Sequence, residues 1–421
     1  MYLELAMQTL GKAIVPTMPK VIVIGGGIGG LTLARACLDV GIEVKVYEKR
    51  QLDTMLSGPG GIFIQRNAMR VYRLLWGGKI FNRFYEQGGK ILKGGFSSKT
   101  GDPLYINSPE FVGEQDLGVC LLRPELQQIL YEALPQGTVQ TGIAFKSFED
   151  TGDSVKIYFQ DGSTEIGDIL VGADGLYSKV RACLDGKELL EDPVYSGMCC
   201  WRGYFDRGNI PLDPQYSWME YWGRGNRFGY FDVGGGRFSF YAFNNSKVAV
   251  NDDAVGGSIQ ALRQIFSDYA QPVPAIIETL DNKKIYRDDI FDREPLSTEW
   301  GKGRVTLIGD AAHPVQPNLG QGGCMAVEDA FEIAKLLTLS VNHEQIPSLL
   351  RQYERSRSQR VTRVFNVSRQ VGTLGQTNSS IGCFFRNWVY KLTPRWLADL
   401  QFKWLFDYQP SWEKVVSQPD I

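Results

Sequence analysis

The chain reads as an α/β protein with three parts. A parallel-sheet domain carries a glycine-rich nucleotide turn, a mostly antiparallel β-sheet is inserted into it, and helices follow at the C-terminus. Three observations carry that reading. Val21-Ile22-Val23-Ile24 is a buried-strand run that opens a βαβ unit through a glycine turn. Far downstream, a second strand from Arg304 to Ile308 runs into Gly309-Asp310, then through a proline-stiffened loop to a glycine-rich helix start at Gly320–Gly323. Between them, residues 194–243 crowd aromatic side chains among alternating polar ones, the pattern of half-buried strands.

Composition narrows the partners. The 421 residues allow two or three domains, and 43% apolar with 22% charged residues is ordinary for a globular protein. A net charge of −2, without a long basic block, argues against nucleic acid. The seven cysteines form no CxxC pair and there are two histidines, so neither a metal centre nor a disulfide framework is expected, and a reducing compartment is. No apolar run reaches the roughly 20 residues of a membrane span. Residues 1–19 form an N-terminal extension without a clear secretory or transit signal; an organelle-targeted precursor would have lost its leader.

In chain order, Leu31–Leu38 reads as a helix and Glu43–Glu48 as a second parallel strand. Arg123–Leu134 reads as a helix, Val155–Gln160 and Thr164–Ile166 as a hairpin around Asp161-Gly162, and residues 168–171 as a strand ending at Gly172-Ala173-Asp174-Gly175. Gly234-Gly235-Gly236 turns the aromatic sheet into Phe238–Phe243. Helices run from Gly323 to about residue 372. The expected domain plan assigns 20–90, 115–190 and 290–375 to the nucleotide-binding domain, 91–114 and 191–289 to the substrate-binding sheet, and 376–421 to a C-terminal helical segment.

Gly25, Gly27 and Gly30 fit G-x-G-x-x-G, with Ile28 and Gly29 inside it. Gly25 permits the tight turn, Gly27 lets backbone approach a pyrophosphate, and Gly30 lets helix and strand pack closely, as in a Rossmann-like fold. Glu48, followed by Lys49, ends the next strand, where a carboxylate suits the ribose hydroxyls of an adenosine. FAD and NAD(P) both use such a turn. The second cradle discriminates between them, since FAD has a ribityl chain and a ring system to hold. Asp310 suits the ribityl hydroxyls, with a simple helix cap as its alternative. Gly320, Gln321, Gly322, Gly323 and Cys324 open a helix whose positive end would face the flavin. Asp174 alone reads as an Asp-Gly turn capping a helix, with Arg181 as a nearby charge for a pyrophosphate.

With these motifs in order, the chain resembles the single-component flavoprotein monooxygenases of the para-hydroxybenzoate hydroxylase type, across roughly residues 20–370. Within that class it is most similar to the zeaxanthin epoxidases. The shared stretches are Leu170–Gly175 through Arg181, Trp300–Leu307, Gln316-Pro317-Asn318, Gly320–Ala326, Asp232–Gly236 and Tyr241-Ala242-Phe243. The resemblance implies that Glu48 binds the adenosine ribose, Arg123 contacts the flavin, and Asp310 binds the ribityl chain and pyrophosphate. It sets Pro317 and Gly320 beside the flavin, where substrate and oxygen meet. It gives Asp174 a place near the pyrophosphate.

The implied reaction is epoxidation of the ring double bond of a hydroxylated carotenoid through a C4a-hydroperoxyflavin, using O₂ and electrons from NADPH or reduced ferredoxin. Such an enzyme would sit at a plastid membrane in a photosynthetic eukaryote, and otherwise in the cytoplasm, associated with a membrane. The chain departs from the plant enzymes in ending before a forkhead-associated domain, in Ala311-Ala312 before His313, and in Cys199-Cys200-Trp201-Arg202. An aromatic-ring hydroxylase of the same class, or a flavin-binding protein without monooxygenation, are the alternatives; no W-x-W-x-I-P stretch supports a halogenase.

Trp201, Tyr230, Phe240 and Phe243 are candidates for an apolar substrate wall, with ordinary core as the other reading. His313 reads as a loop-structuring residue, because epoxidation needs no base. Phe384, Phe385, Trp388, Trp396, Leu400, Trp404 and Phe406 lie among basic residues, with Trp396, Leu400 and Trp404 on one helical face. That segment reads either as a membrane-interfacial helix serving a lipid-soluble substrate or as a terminal helix packed on the core.

Overall fold

The computed structural model describes residues 18–107, 118–340 and 342–413. Most of the expected N-terminal extension, and residues 108–117 at the junction of two expected domain pieces, lie outside them. The centre is a five-stranded, all-parallel sheet in the order Val305–Leu307, Ile169–Gly172, Lys20–Ile24, Glu43–Glu48 and Val139–Thr141. Val21, Ile22 and Val23 have no solvent exposure, which is why that strand reads as an unbroken apolar run. The helices Ile28–Asp39 and Gly322–Leu337 pack against each other beside this sheet. The strand ends thus meet two glycine-rich helix starts from opposite ends of the sequence.

The inserted sheet has seven strands, in the order Tyr286–Asp292, Val194–Asp206, Arg237–Asn245, Asn226–Gly234, Trp218–Trp222, Gly94–Ser98 and Pro103–Ile106. All neighbours are antiparallel except Trp218–Trp222 with Gly94–Ser98, which run parallel. Asp292 is still paired with Val194, so the sheet's last strand crosses the expected boundary at residue 290. The hairpin around Asp161-Gly162 forms as expected and carries a third strand, Phe145–Asp150. A small antiparallel sheet of Gly61–Ile64, Val119–Leu122 and Gly89–Lys90 was not anticipated. Its strands are too short, and too scattered along the chain, to show a period.

The 30-residue helix Ile346–Gly375 leads to two shorter ones, Ser380–Leu392 and Arg395–Phe406, divided at Pro394. The end of this segment is fastened to the core. Arg360 donates to the carbonyls of Trp404 and Leu405, Arg70 to those of Phe406 and Tyr408, and Leu405 is buried. The expected single face of Trp396, Leu400 and Trp404 divides. Trp396 and Leu400 are exposed, whereas Trp404 is half-buried under the Arg363 guanidinium, 3.9 Å from its ring centroid. Among the described residues no helix is long and apolar enough to cross a membrane.

Candidate active site

One cavity of about 1010 Å³ runs between the parallel sheet and the aromatic sheet. Its first end is the glycine turn. Gly25 has φ +113, and a Cβ there would lie 2.3 Å from the Ala173 carbonyl oxygen, so only glycine fits. Gly27 has open space where a Cβ would stand, and with Ile28 and Gly29 it lines the cavity. Gly30 does not line it. A Cβ at Gly30 would meet the Gly25 carbonyl oxygen at 2.0 Å, so its part is close packing.

Glu48 accepts from the Gly26 amide at 2.8 Å and from the Arg50 amide and Nε at 3.0 and 2.8 Å. Burial alone would raise its carboxyl pKa, but these donors hold it below the usual range. A charged carboxylate therefore stands fixed at the cavity wall, with exposed Lys49 beside it.

The second end is the downstream cradle. Asp310 lies in the one-turn helix Gly309–Ala311, and no protein group among the described residues hydrogen-bonds its carboxylate. It caps no helix and opens onto the cavity. Surrounding protein raises its pKa, against the pull of His313 and Arg123. Pro317, Gly320, Gly322 and Gly323 continue the same wall, and Gly320 takes φ +61. The helix Gly322–Leu337 starts with no side-chain cap, leaving its first amides available to an electron-rich ring edge. Cys324 corrects the expectation. It packs behind the cradle, fully buried, against the carbonyls of Phe63 and Gly320, and burial pushes its thiol up to about 12.

Arg123 begins the helix Arg123–Glu132 and lines the cavity, its guanidinium without a partner among the described residues. Burial lowers its pKa, and the like charge of Arg202 adds to that. Asp310 is exposed to the open cavity and Arg123 half-buried at its wall, so a carboxylate and a cation both face the space a ligand would fill. Polar hydroxyls and an electron-rich ring would satisfy both.

Asp174 is spent differently. It accepts from the Ser178 hydroxyl at 2.5 Å and from the Lys179 and Val180 amides at 2.7 and 3.1 Å, so it holds a helix start while only bordering the cavity. Arg181 also departs from expectation. It is buried and reaches the carbonyls of Ala311 and Ala312 at 3.4 and 3.3 Å, which braces the cradle from behind. His313 is likewise behind the wall, 2.6 Å from Asp329. Burial alone would raise the Asp329 carboxyl, yet His313 and Arg357 hold it below its ordinary value.

The aromatic sheet divides the four expected substrate residues. Trp201 donates to Asp252 at 2.6 Å and, with Tyr230, packs into a core behind the sheet against Leu262, Phe266 and Ile276. Phe240 reaches both that core and the cavity lining, and Phe243 lines the cavity. Strand alternation explains the split, because Ser239, Tyr241 and Phe243 share the face toward the cavity.

Sequence reasoning missed the polar end of this wall. Glu220 accepts from Arg227 at 3.1 Å and from the Tyr241 hydroxyl at 2.8 Å, and Arg227 also bonds Asn318, next to Pro317. Tyr241 reaches Glu220 because Gly229 is bare, since a Cβ there would lie 2.2 Å from the tyrosine ring. Arg202, Trp218 and Tyr390 also line the cavity, and the buried Trp218 indole N–H has no partner among the described residues. The available signals were an arginine and a glutamate in otherwise apolar strands.

Comparison with known proteins agrees with this geometry. The FAD binding domain family matches residues 18–222 and 261–368. Aurachin C monooxygenase/isomerase of Stigmatella aurantiaca is 34% identical over 87% of this chain and 92% of its own length. Chloroplastic zeaxanthin epoxidase of Nicotiana plumbaginifolia is 35% identical over 85% of this chain, which spans 55% of that longer protein. The structure of Klebsiella pneumoniae HpxO with FAD and uric acid superposes with a TM-score of 0.80 at 27% identity, covering 93% of this chain and 96% of that one. A salicylate hydroxylase substrate complex shares the fold, with a TM-score of 0.74 at 22% identity, over 93% and 96% of the two chains. The turn at Gly25, the carboxylates of Glu48 and Asp310 and the cradle at Gly320–Gly323 fit FAD, and the chain belongs to the FAD-dependent monooxygenases of the para-hydroxybenzoate and salicylate hydroxylase class.

Proposed function

We propose that the protein epoxidises a ring double bond of a hydroxylated carotenoid, drawing electrons from NADPH or reduced ferredoxin. Where its source is photosynthetic, we place it at a plastid membrane. The observation that carries the substrate class is the wall facing the cradle: aromatic along its length, with a polar cluster of no net charge. Bound FAD supplies the oxygen activation such a reaction needs.

This chain's residues do the rest. Glu48, Asp310 and the bare amides of the two glycine turns hold and orient the cofactor, and Arg123 sets a positive charge beside it. Phe231, Tyr241 and Phe243 keep water from the reacting region. Arg227 neutralises Glu220, so the polar end offers hydrogen bonds without net charge, which suits a ring hydroxyl better than a carboxylate. The zeaxanthin epoxidase relatives support the same reading.

A second reading, oxygen transfer to an electron-rich aromatic ring, is favoured by the Tyr241–Glu220 hydrogen bond. A phenolic substrate could lean on that pair as it loses its proton. The Stigmatella aurantiaca relative, matched over nearly its whole length, leaves room for it. The test is incubation of flavin-loaded protein, NADPH and O₂ with zeaxanthin in lipid and, separately, with a phenolic acid. Products heavier by one oxygen atom are then sought in each. A carotenoid epoxide is expected, and turnover of the phenol alone overturns the first reading.

A further inference from the structure

We infer that the outward side of the last two helices docks the protein on an anionic lipid surface, so that an apolar substrate enters the cavity from the bilayer. The entry route rests on the substrate reading above; the docking does not. In the helix Ser380–Leu392 the inward positions are Cys383, Arg386 and Tyr390. Arg386 is buried and donates to the carbonyls of Gly375 and Gly223, and Tyr390 packs edge-on to Trp222 at 5.0 Å. The opposite side carries Phe384, Phe385, Trp388 and Leu392, which are 66, 57, 53 and 59% exposed. In the next helix Trp396 and Leu400 continue it, at 67 and 58%. Single exposed apolar residues are commonplace, whereas a run of large aromatic ones along two consecutive helices marks an interaction surface.

Two observations identify the occupant. From Gln376 to Ala398 the sequence holds no Asp or Glu, while Lys391 is exposed within the patch and Lys403 beyond it. Across the two helices the sequence sets four basic residues, Arg386, Lys391, Arg395 and Lys403, against one acid, Asp399, which accepts from Tyr105 at 2.6 Å; exposed Asp102 borders the patch beside Lys391. Aromatic side chains with basic neighbours suit the headgroup boundary of an anionic bilayer. A second copy docked there by a twofold axis would set the same basic edge against itself.

The inner side of these same helices supplies Tyr390, Phe402, Leu405 and Phe406 to the cavity lining. The helix pair is thus the partition between the patch and the candidate active site.

The test uses flavin-loaded, full-length protein without substrate, floated with vesicles of phosphatidylcholine alone or mixed with phosphatidylglycerol. Binding to the anionic vesicles is expected to exceed that to neutral ones on the order of tenfold. Phe384→Ser/Phe385→Ser/Trp388→Ser should lose at least about tenfold of that binding, with its flavin spectrum and melting temperature unchanged. Should that variant fail to fold, Trp396→Ser/Leu400→Ser and quenching of tryptophan fluorescence by brominated lipid supply the same reading. Absence of flotation, equal flotation of variant and parent, or a dimer that the variant dissolves would overturn the proposal. Vesicle binding without carotenoid turnover in detergent would retain the docking and sink the substrate reading.

Discussion

The two halves of the cavity are made by opposite means. The cofactor half is built from backbone: bare glycines, two uncapped helix starts and a few acids at strand ends. The substrate half is built from side chains that meet across strands and helices, with Glu220, Arg227, Tyr241 and Asn318 joined in one buried network. The first kind of site is local in sequence, and the second exists only after the sheet has formed. That difference governs how each half should fail when altered.

The largest effect is expected in the substrate half. Arg227→Leu leaves the buried Glu220 charge without its cation, with only the Tyr241 hydroxyl still donating to it, and should lower stability by about 3–5 kcal/mol in denaturant unfolding. The double variant Arg227→Leu/Glu220→Leu should recover much of that. A single variant within about 1 kcal/mol of the parent would mean that the pair is solvated and the network incidental.

Next comes a contrast inside the cofactor half. Asp310→Asn should weaken FAD binding roughly 10- to 100-fold, the worth of a hydrogen bond to a charged group, as read by flavin fluorescence titration. Asp174→Asn should instead cost about 1 kcal/mol of stability as a weakened helix start, with FAD affinity near that of the parent. The reverse pattern would exchange the roles given to these two acids.

Smaller still, Phe243→Leu should raise KM for an apolar substrate a few-fold, about 1 kcal/mol of lost contact. Trp201→Phe, on the far side of the same sheet, should leave KM unchanged and lower the melting temperature. Equal KM effects would mean that the sheet's two faces are not distinct for substrate.

The smallest expected effect lies outside both halves. Burial would raise the Glu165 carboxyl, but Lys20, Lys45 and Tyr47 hold it down, to about 2. Its ordinary value is 4.5, so its contribution is complete above that pH and is lost as pH falls toward 2. Glu165→Gln should cost on the order of 1 kcal/mol at neutral pH and flatten the acid limb of the stability curve in that window.

The same contrast explains what the sequence disclosed. The turn at Gly25, Glu48 and the cradle with Asp310 were legible because each is a short motif whose glycines and acid have a stereochemical reason to be there. Cys324 was placed near the cofactor by adjacency alone and turns away behind the cradle, whereas Gly30 packs against Gly25, the part its place as third glycine of the turn implied. Trp201 and Tyr230 looked like substrate residues because a strand's period does not say which face meets the cavity. Arg202, Glu220 and Arg227 were overlooked for a related reason. A charge within an apolar strand shows its purpose only when its partner, distant in sequence, comes to lie opposite.

The central sheet is closed by its latest-made strand, Val305–Leu307, which pairs with Ile169–Gly172 beside the first strand, Lys20–Ile24. A chain emerging from its N-terminus therefore displays the glycine turn long before the cradle that completes the site has been synthesised. Pairings so distant in sequence form slowly, because loop closure must precede any contact that favours it. Flavin can then act as an inspector of finished molecules, gripping only those whose two ends have met. Retained yellow colour would report completed folding of this protein more sharply than its helix or strand content could.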